Sequence, residues 1–184
     1  MDMLEGNRKS HVEHGALYFW TATINGWKHL MSEDTMKMEV IQSLQWLVHR
    51  KLITVYAFVI MPNHLHLIWR VNANNGRESP QGSLLKFTAH QFRKILYNTN
   101  QEALKAYEVV ANNKSHEFWQ RDSLAVLLYN RPFLLQKITY IHNNPVAKHW
   151  QLSESPEAYR FSSASFYETG IDEFGILTHI GDAY

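Results

Sequence analysis

At 184 residues the chain suits one domain, long enough to bury a substantial core. Its 18 Lys+Arg against 17 Asp+Glu leave a net charge of +1, which excludes proteins that hold nucleic acid by bulk charge; any such binding must come from a local patch. Zero cysteines exclude disulfides, thiolate zinc sites and cysteine nucleophiles, and no apolar run approaches the ~18 residues of a membrane span. The expectation is a soluble cytoplasmic protein without a membrane partner.

In chain order, residues 1–14 read as a polar tail. Residues 16–23 (Ala-Leu-Tyr-Phe-Trp-Thr-Ala-Thr) follow Gly15 and read as the first strand, being rich in β-formers. Ser32 is placed as the N-cap of a first helix, with Glu33 and Asp34 in its first turn. Its apolar stripe is Met36, Val40, Ile41, Leu44, Leu47 and Val48. The second strand covers 53–60, and the third runs from His64 to Val71 after a Met61-Pro62-Asn63 turn. Alternation along that third strand puts His64 and His66 on one face and Leu65, Leu67 and Trp69 on the other, so the two imidazoles can grip one metal ion.

Residues 72–82 read as a loop, with Asn-Asn-Gly and Ser-Pro in them. A second helix over 83–98 turns Leu84, Leu85, Thr88, Phe92, Ile95 and Leu96 inward and Lys86, His90, Arg93 and Lys94 outward, which makes its outer face basic. Residues 101–110 continue helically, a polar link follows at 112–115, and 118–129 read as a further strand. Asn130 then caps a short helix with Pro132 in its first turn and Pro145 beyond its end. Leu134, Leu135, Ile138 and Ile141 form its buried stripe. Lys137, Tyr140 and Asn144, at i, i+3 and i+7, share another face. The six tryptophans are read mostly as core, and Tyr159, Phe161 and Phe166 indicate an ordered tail packing on the domain or over the site.

Two segments together carry a family resemblance. Met61-Pro62-Asn63-His64-Leu65-His66-Leu67-Ile68 and Tyr140-Ile141-His142-Asn143-Asn144-Pro145-Val146 resemble, in this order, the two signatures of the single-tyrosine HUH transposases of the insertion-sequence 200-like superfamily. The branch most similar is the REP-associated tyrosine transposases. Tyr18-Phe19-Trp20-Thr21-Ala22-Thr23, Phe118-Trp119-Gln120 and Tyr159-Arg160-Phe161-Ser162-Ser163-Ala164 also match, so the resemblance spans residues 15–167. The family often has Gly soon after the Pro-Val pair, where this chain has Ala147-Lys148-His149-Trp150, and the charge is low for a DNA enzyme.

The resemblance implies an α+β fold: a ferredoxin-like antiparallel sheet of four to five strands with helices packed on its faces. It divides the chain into a tail (1–14), a catalytic domain (15–150) and a C-terminal tail packing on the domain (151–184). It implies a nucleoid-associated prokaryotic enzyme, monomer or homodimer, that cleaves and rejoins single-stranded hairpin DNA. Tyr140 would be the nucleophile, forming a 5′-phosphotyrosine. His64, His66 and Asn144 would hold Mg2+ or Mn2+, ions whose hardness suits an amide oxygen. Because a free phenol titrates near ~10, the nucleophile needs activation, by the metal environment or by Lys137. Arg70, Lys86, Arg93, Lys94 and Arg121 are the candidate DNA contacts, chosen for charge and nearness in sequence to the site. Two alternatives stay open: a domesticated, non-cleaving DNA-binding protein of the same fold, and a zinc hydrolase, which would need a carboxylate that the sequence does not place near the histidine pair.

Overall fold

The computed structural model describes residues 12–111, 114–121 and 123–183; most of the N-terminal tail, Asn112 and Asn113 of the polar link, and Asp122 lie outside them. Its elements are β1 (Leu17–Thr23), α1 (Asp34–His49), β2 (Ile53–Ile60), β3 (His64–Val71), α2 (Pro80–Thr99), α3 (Gln101–Lys105), β4 (Glu108–Ala111), β5 (Lys114–His116), β6 (Leu124–Leu127), α4 (Arg131–Asn143) and α5 (Ala164–Thr169). Strands β2-β3-β1-β6 form one antiparallel sheet. With α1 between β1 and β2 and α2 between β3 and β6, this is the βαββαβ, ferredoxin-like arrangement. The β4–β5 hairpin is a separate two-stranded insertion between α3 and β6. Among the described residues, no helix is long and apolar enough to cross a membrane.

The sheet has both faces covered. Leu65, Leu67 and Trp69 are completely buried on one face, where Trp69 and Trp20 lie with ring centroids 5.0 Å apart. On the other face, α4 packs on β2 and β3. The register pairs Thr21 with His66, Thr23 with His64 and Phe19 with Ile68, so the histidines share their face with Phe19, Thr21 and Thr23 of β1. Strand β2 is an edge of the sheet, and the chain after α4 covers it. Phe161 O accepts from Ile60 N (2.9 Å), Ser163 N donates to Phe58 O (2.9 Å), and Thr178 N donates to Val55 O (2.9 Å). Those contacts satisfy an edge that would otherwise present free backbone groups.

Several local expectations are corrected. Helix α1 opens one residue after Glu33 without a side-chain cap, because the Ser32 hydroxyl donates to His29 O in a 3-10 turn (3.0 Å). Helix α2 starts at Pro80, earlier than predicted: Ser79, placed in the loop, accepts from Gly82 N and serves as the cap, with proline in the first turn. The helix expected over 101–110 stops at Lys105, and Glu108–Ala111 turns into strand β4, where Val109 and Val110 suit an extended backbone. Only Leu124–Leu127 of the predicted last strand is regular, although Trp119 bridges Ile24. In α4, Leu134, Ile138 and Ile141 are buried but Leu135 is 45% exposed. Trp20, Trp69 and Trp119 are core, whereas Trp27 and Trp46 are exposed and Trp150 is half-buried.

The completely buried Ser163 joins three elements. Its hydroxyl accepts from Phe58 N (3.0 Å) on β2 and lies 2.9 Å from His142 Nε2 on α4. Ser163→Ala would leave a buried N–H without its partner, which costs about 1–3 kcal/mol. The expected outcome is a lower urea midpoint with an unchanged slope; an unchanged midpoint would show that this junction carries no stability.

Candidate active site

The turn that introduces the histidine strand is held from both sides. Ile24 N donates to Asn63 O (2.8 Å) and Met31 N to Pro62 O (2.8 Å), so the segment after β1 wraps the Met61–Pro62–Asn63 turn. Asn63 is buried, and its Nδ2 donates to Trp27 O (3.2 Å). That bond orients the amide so that Oδ1 faces His64 Nδ1 at 2.7 Å. An amide oxygen only accepts, so His64 carries its proton on Nδ1 and keeps a lone pair on Nε2. His66 Nδ1 lies 2.7 Å from Thr21 Oγ1 of β1. His66 Nε2 is buried and has no hydrogen-bond partner among the described residues.

The two rings are 4.7 Å apart, centroid to centroid. Burial pushes His64 down to about 4, with His149 adding to the shift. His66 falls to about 3, again mainly by burial, with His64 and the Lys137 ammonium contributing. Both imidazoles are therefore neutral near pH 7 and able to donate lone pairs. An orphaned buried nitrogen beside a second imidazole with a fixed tautomer fits a divalent cation. Among the described residues, no three His, Asp or Glu side chains converge; the oxygen donors sharing the cavity with the imidazoles are Thr21, Tyr140 and the amides of Asn143 and Asn144.

Helix α4 brings the tyrosine to this pair. Asn130 Oδ1 accepts from Phe133 N (2.9 Å) and Pro132 lies in the first turn, so the start of the helix is defined by capping. The buried stripe of Leu134, Ile138 and Ile141 sets its rotation and turns Tyr140 toward His66. Their ring centroids are 5.3 Å apart, and the phenol ring lies edge-on to Phe19 at 6.0 Å. Tyr140 is 51% exposed and lines the same cavity as the imidazoles. Lys137 Nζ stands 4.8 Å from the Phe19 ring centroid and 5.8 Å from that of Tyr140. Asn144 caps the helix C-terminus and is buried.

His64, His66, Tyr140 and Asn144 line one cavity of about 530 Å³, together with Thr21, Trp27, Asn143, Ala147, His149 and Trp150. Lys137 adjoins it through Phe19 and Tyr140. Thr21, Asn63 and Trp27 were missed as site residues in the sequence. Their signal is the β1–β3 register and the contacts of the 61–63 turn, neither of which a motif records.

The five candidate DNA contacts do not line this cavity. Arg70 shares the strand face of the histidines six residues further on, and its Nη2 donates to Ala183 O (2.7 Å). Lys86 is 3.7 Å from Glu78, while Arg93 and Lys94 are exposed on α2. Arg121 pairs with Glu117 at 3.1 Å. It adjoins Gln120, whose N–H donates to Thr23 O, at the histidine end of the sheet.

No protein-family model and no curated protein match the sequence. Among solved structures, the chain is similar to a REP-associated tyrosine transposase bound to a REP hairpin, with a TM-score of 0.58 at 17% identity over 95% of this chain and 93% of that one. A crystal structure from Deinococcus radiodurans R1, of a protein designated a transposase, aligns with a TM-score of 0.44 at 14% identity over 77% of this chain and 97% of that one. The chain thus has a tyrosine-transposase-like fold.

The buried imidazoles predict acid sensitivity. A histidine held at about 4 or below when folded, and near ~6.5 when unfolded, favours the unfolded chain once the pH drops below the unfolded value. Stability is therefore full above about pH 6.5 and falls as the pH is lowered toward the folded values, by up to about 2 kcal/mol per imidazole between pH 7 and pH 5. His142, which burial pushes to about 4, adds to the effect. His66→Gln should shrink the loss in denaturation midpoint between pH 7 and pH 5; an unchanged loss would show that this ring does not drive the pH dependence.

Proposed function

We propose that this chain cleaves and rejoins single-stranded hairpin DNA, with Tyr140 as the nucleophile. The observation that carries the reading is the accessible Tyr140 phenol beside two neutral imidazoles that share one cavity with it. The fold shared with a transposase bound to a REP hairpin supports the same reading and suggests hairpin DNA as the substrate class. In the proposed step, Tyr140 Oη bonds to phosphorus while the P–O3′ bond breaks. The products are a 5′-phosphotyrosine and a free 3′-hydroxyl, and attack by that hydroxyl reverses the step. No nucleotide is consumed, because the covalent bond conserves the energy.

The chain's own groups prepare this reaction. Asn63 and Thr21 hold the two rings by Nδ1, so that neither Nε2 atom is used by these contacts. Lys137 brings a positive charge beside the Tyr140 ring, where it would offset the charge that gathers on phosphate oxygens. The buried stripe of α4 fixes Tyr140, which reduces the entropy lost in reaching an in-line geometry. His64 Nε2, His66 Nε2 and the Asn144 amide oxygen would hold Mg2+ or Mn2+, which when bound supplies charge neutralisation at the scissile phosphate.

Tyr140→Phe is expected to keep the fold and the affinity for hairpin DNA and to lose the covalent protein–DNA adduct on a denaturing gel. An adduct persisting in that variant would move the nucleophile to the exposed Tyr97 or Tyr129.

Excess EDTA, or His64→Ala with His66→Ala, should abolish adduct formation by the wild-type Tyr140 chain; full activity in either case would remove the metal from the mechanism. Two imidazoles and one amide bind hard cations weakly, so the metal requirement should saturate only at high concentration unless DNA is present.

Substrate form follows from charge. A chain of net charge +1 has few surplus cations with which to grip a duplex. Hairpin DNA with an unpaired flank should be cut and the same sequence as a full duplex should not; equal cleavage at one salt concentration would make a duplex nicking enzyme the better description.

A further inference from the structure

Trp27 and Trp150 both stand beside His64. Their ring centroids are 6.2 Å and 6.0 Å from its imidazole, and both line the cavity that contains Tyr140. Trp27 is 58% exposed in a 3-10 turn, where Gly26 and Trp27 both adopt positive φ, 68° and 56°. A β-carbon-bearing residue pays for that conformation, and here it holds a large apolar ring open to solvent. Trp150 follows the end of α4, within ring contact of His29 at 5.5 Å and His149 at 5.7 Å. The cavity is thus aromatic beside His64, with the imidazole pair and the tyrosine lining the same space.

From this arrangement we infer that Trp27 and Trp150 form a stacking subsite for an unpaired nucleobase adjoining the phosphodiester presented to Tyr140. The inference rests on the proposed single-strand cleavage and adds the recognition element at its site. Indole faces accept any base by stacking, so the subsite demands that the base be unpaired and places little demand on its identity. Such a contact also answers the charge problem, because stacking does not depend on surplus cations. Trp27 is linked to the machinery as well as adjacent to it. Its carbonyl accepts from Asn63 Nδ2, and the other end of that amide orients His64, so a base seated on Trp27 rests on the residue whose backbone positions the amide that sets the imidazole tautomer.

The test uses the full chain carrying Tyr140→Phe, so that binding is read without turnover. The probes are single-stranded hairpin oligonucleotides with unpaired flanks, taken from the flanks of its own gene. Each is compared with copies in which one unpaired position at a time is abasic. Dissociation constants are measured by fluorescence anisotropy at one salt concentration. In the parent, an abasic residue at one or two adjoining flank positions should weaken binding about tenfold. Trp27→Ala and Trp150→Ala should weaken binding of the intact probe by a similar factor and should no longer respond to the abasic substitution. Trp27→Phe, which keeps a ring, should restore most of the loss. Trp46→Ala, on the exposed face of α1 under Arg50, should bind like the parent. Abasic penalties as large in the tryptophan variants as in the parent, or absent from all of them, overturn the subsite while leaving the cleavage reading intact. Failure of the parent to bind any hairpin probe overturns the cleavage reading, and the subsite with it.

Discussion

A neutral imidazole buried in a sheet must satisfy its polar nitrogens or lose about 1–3 kcal/mol for each one left bare. His64 and His66 both engage Nδ1, through Asn63 Oδ1 and Thr21 Oγ1 at 2.7 Å each, and both are almost completely enclosed. Protonation is resisted mainly because both rings are buried, with His149 adding to the effect on His64 and His64 to that on His66. What remains is a pair of Nε2 atoms in two rings that line one cavity, of which that of His66 is buried and has no partner among the described residues. Much of the surrounding architecture serves to keep those two rings in place. The β1–β3 register supplies Thr21, the wrapped turn supplies Asn63, and the sheet behind supplies Leu65, Leu67 and Trp69 as an immovable back face.

The second constraint is the angle at which α4 meets that face. The helix has 13 residues, and its stability comes from its buried stripe and its Asn130 cap. Its far end is tied down by a different route. His142, two residues past Tyr140, meets Ser163, whose hydroxyl in turn accepts from Phe58 N on β2. Residues 159–163 therefore do two things at once, closing the sheet edge and anchoring the helix that carries the phenol. Tyr159 makes the same connection from outside, its hydroxyl donating to Ile60 O at 2.8 Å. Displacement of that segment would free a strand edge and loosen the tyrosine together.

Elements whose local chemistry agrees with their environment were legible in the sequence. The period-two pattern of residues 64–71 placed the histidine pair on one face, and Asn130 with Pro132 placed the start of α4, because neither feature needs a partner elsewhere in the chain to be read. Ser32 misled because its hydroxyl found a nearer acceptor at His29. Residues 101–110 misled because helix propensity is a weak prior, and the pairing of Glu108–Ala111 with Lys114–His116 is a non-local event. The sequence does not single out Trp27 among tryptophans read mostly as core; its exposure follows from a positive-φ turn that only the backbone reveals. Thr21 and Asn63 bring the imidazoles into order through contacts that sequence spacing does not encode.

The arrangement of cations completes the argument about substrate. Arg70 is committed to the backbone at Ala183, Lys86 and Arg121 face carboxylates, and Arg160 pairs with Glu173 at 2.7 Å. Exposed pairs of this kind are individually weak, about 0–1 kcal/mol, yet each places a carboxylate where a phosphate would otherwise be attracted. Diffuse attraction to a polyanion is thereby reduced at those positions. By contrast, the Lys137 ammonium faces the aromatic rings of Phe19 and Tyr140, beside the cavity. Under the proposed reading, the chain concentrates its electrostatics at the phosphate being cut and leaves recognition to the shape and unpaired bases of the strand. A near-neutral net charge is then compatible with a DNA enzyme, because the energy of binding comes from stacking and from one local site rather than from the field of the whole molecule.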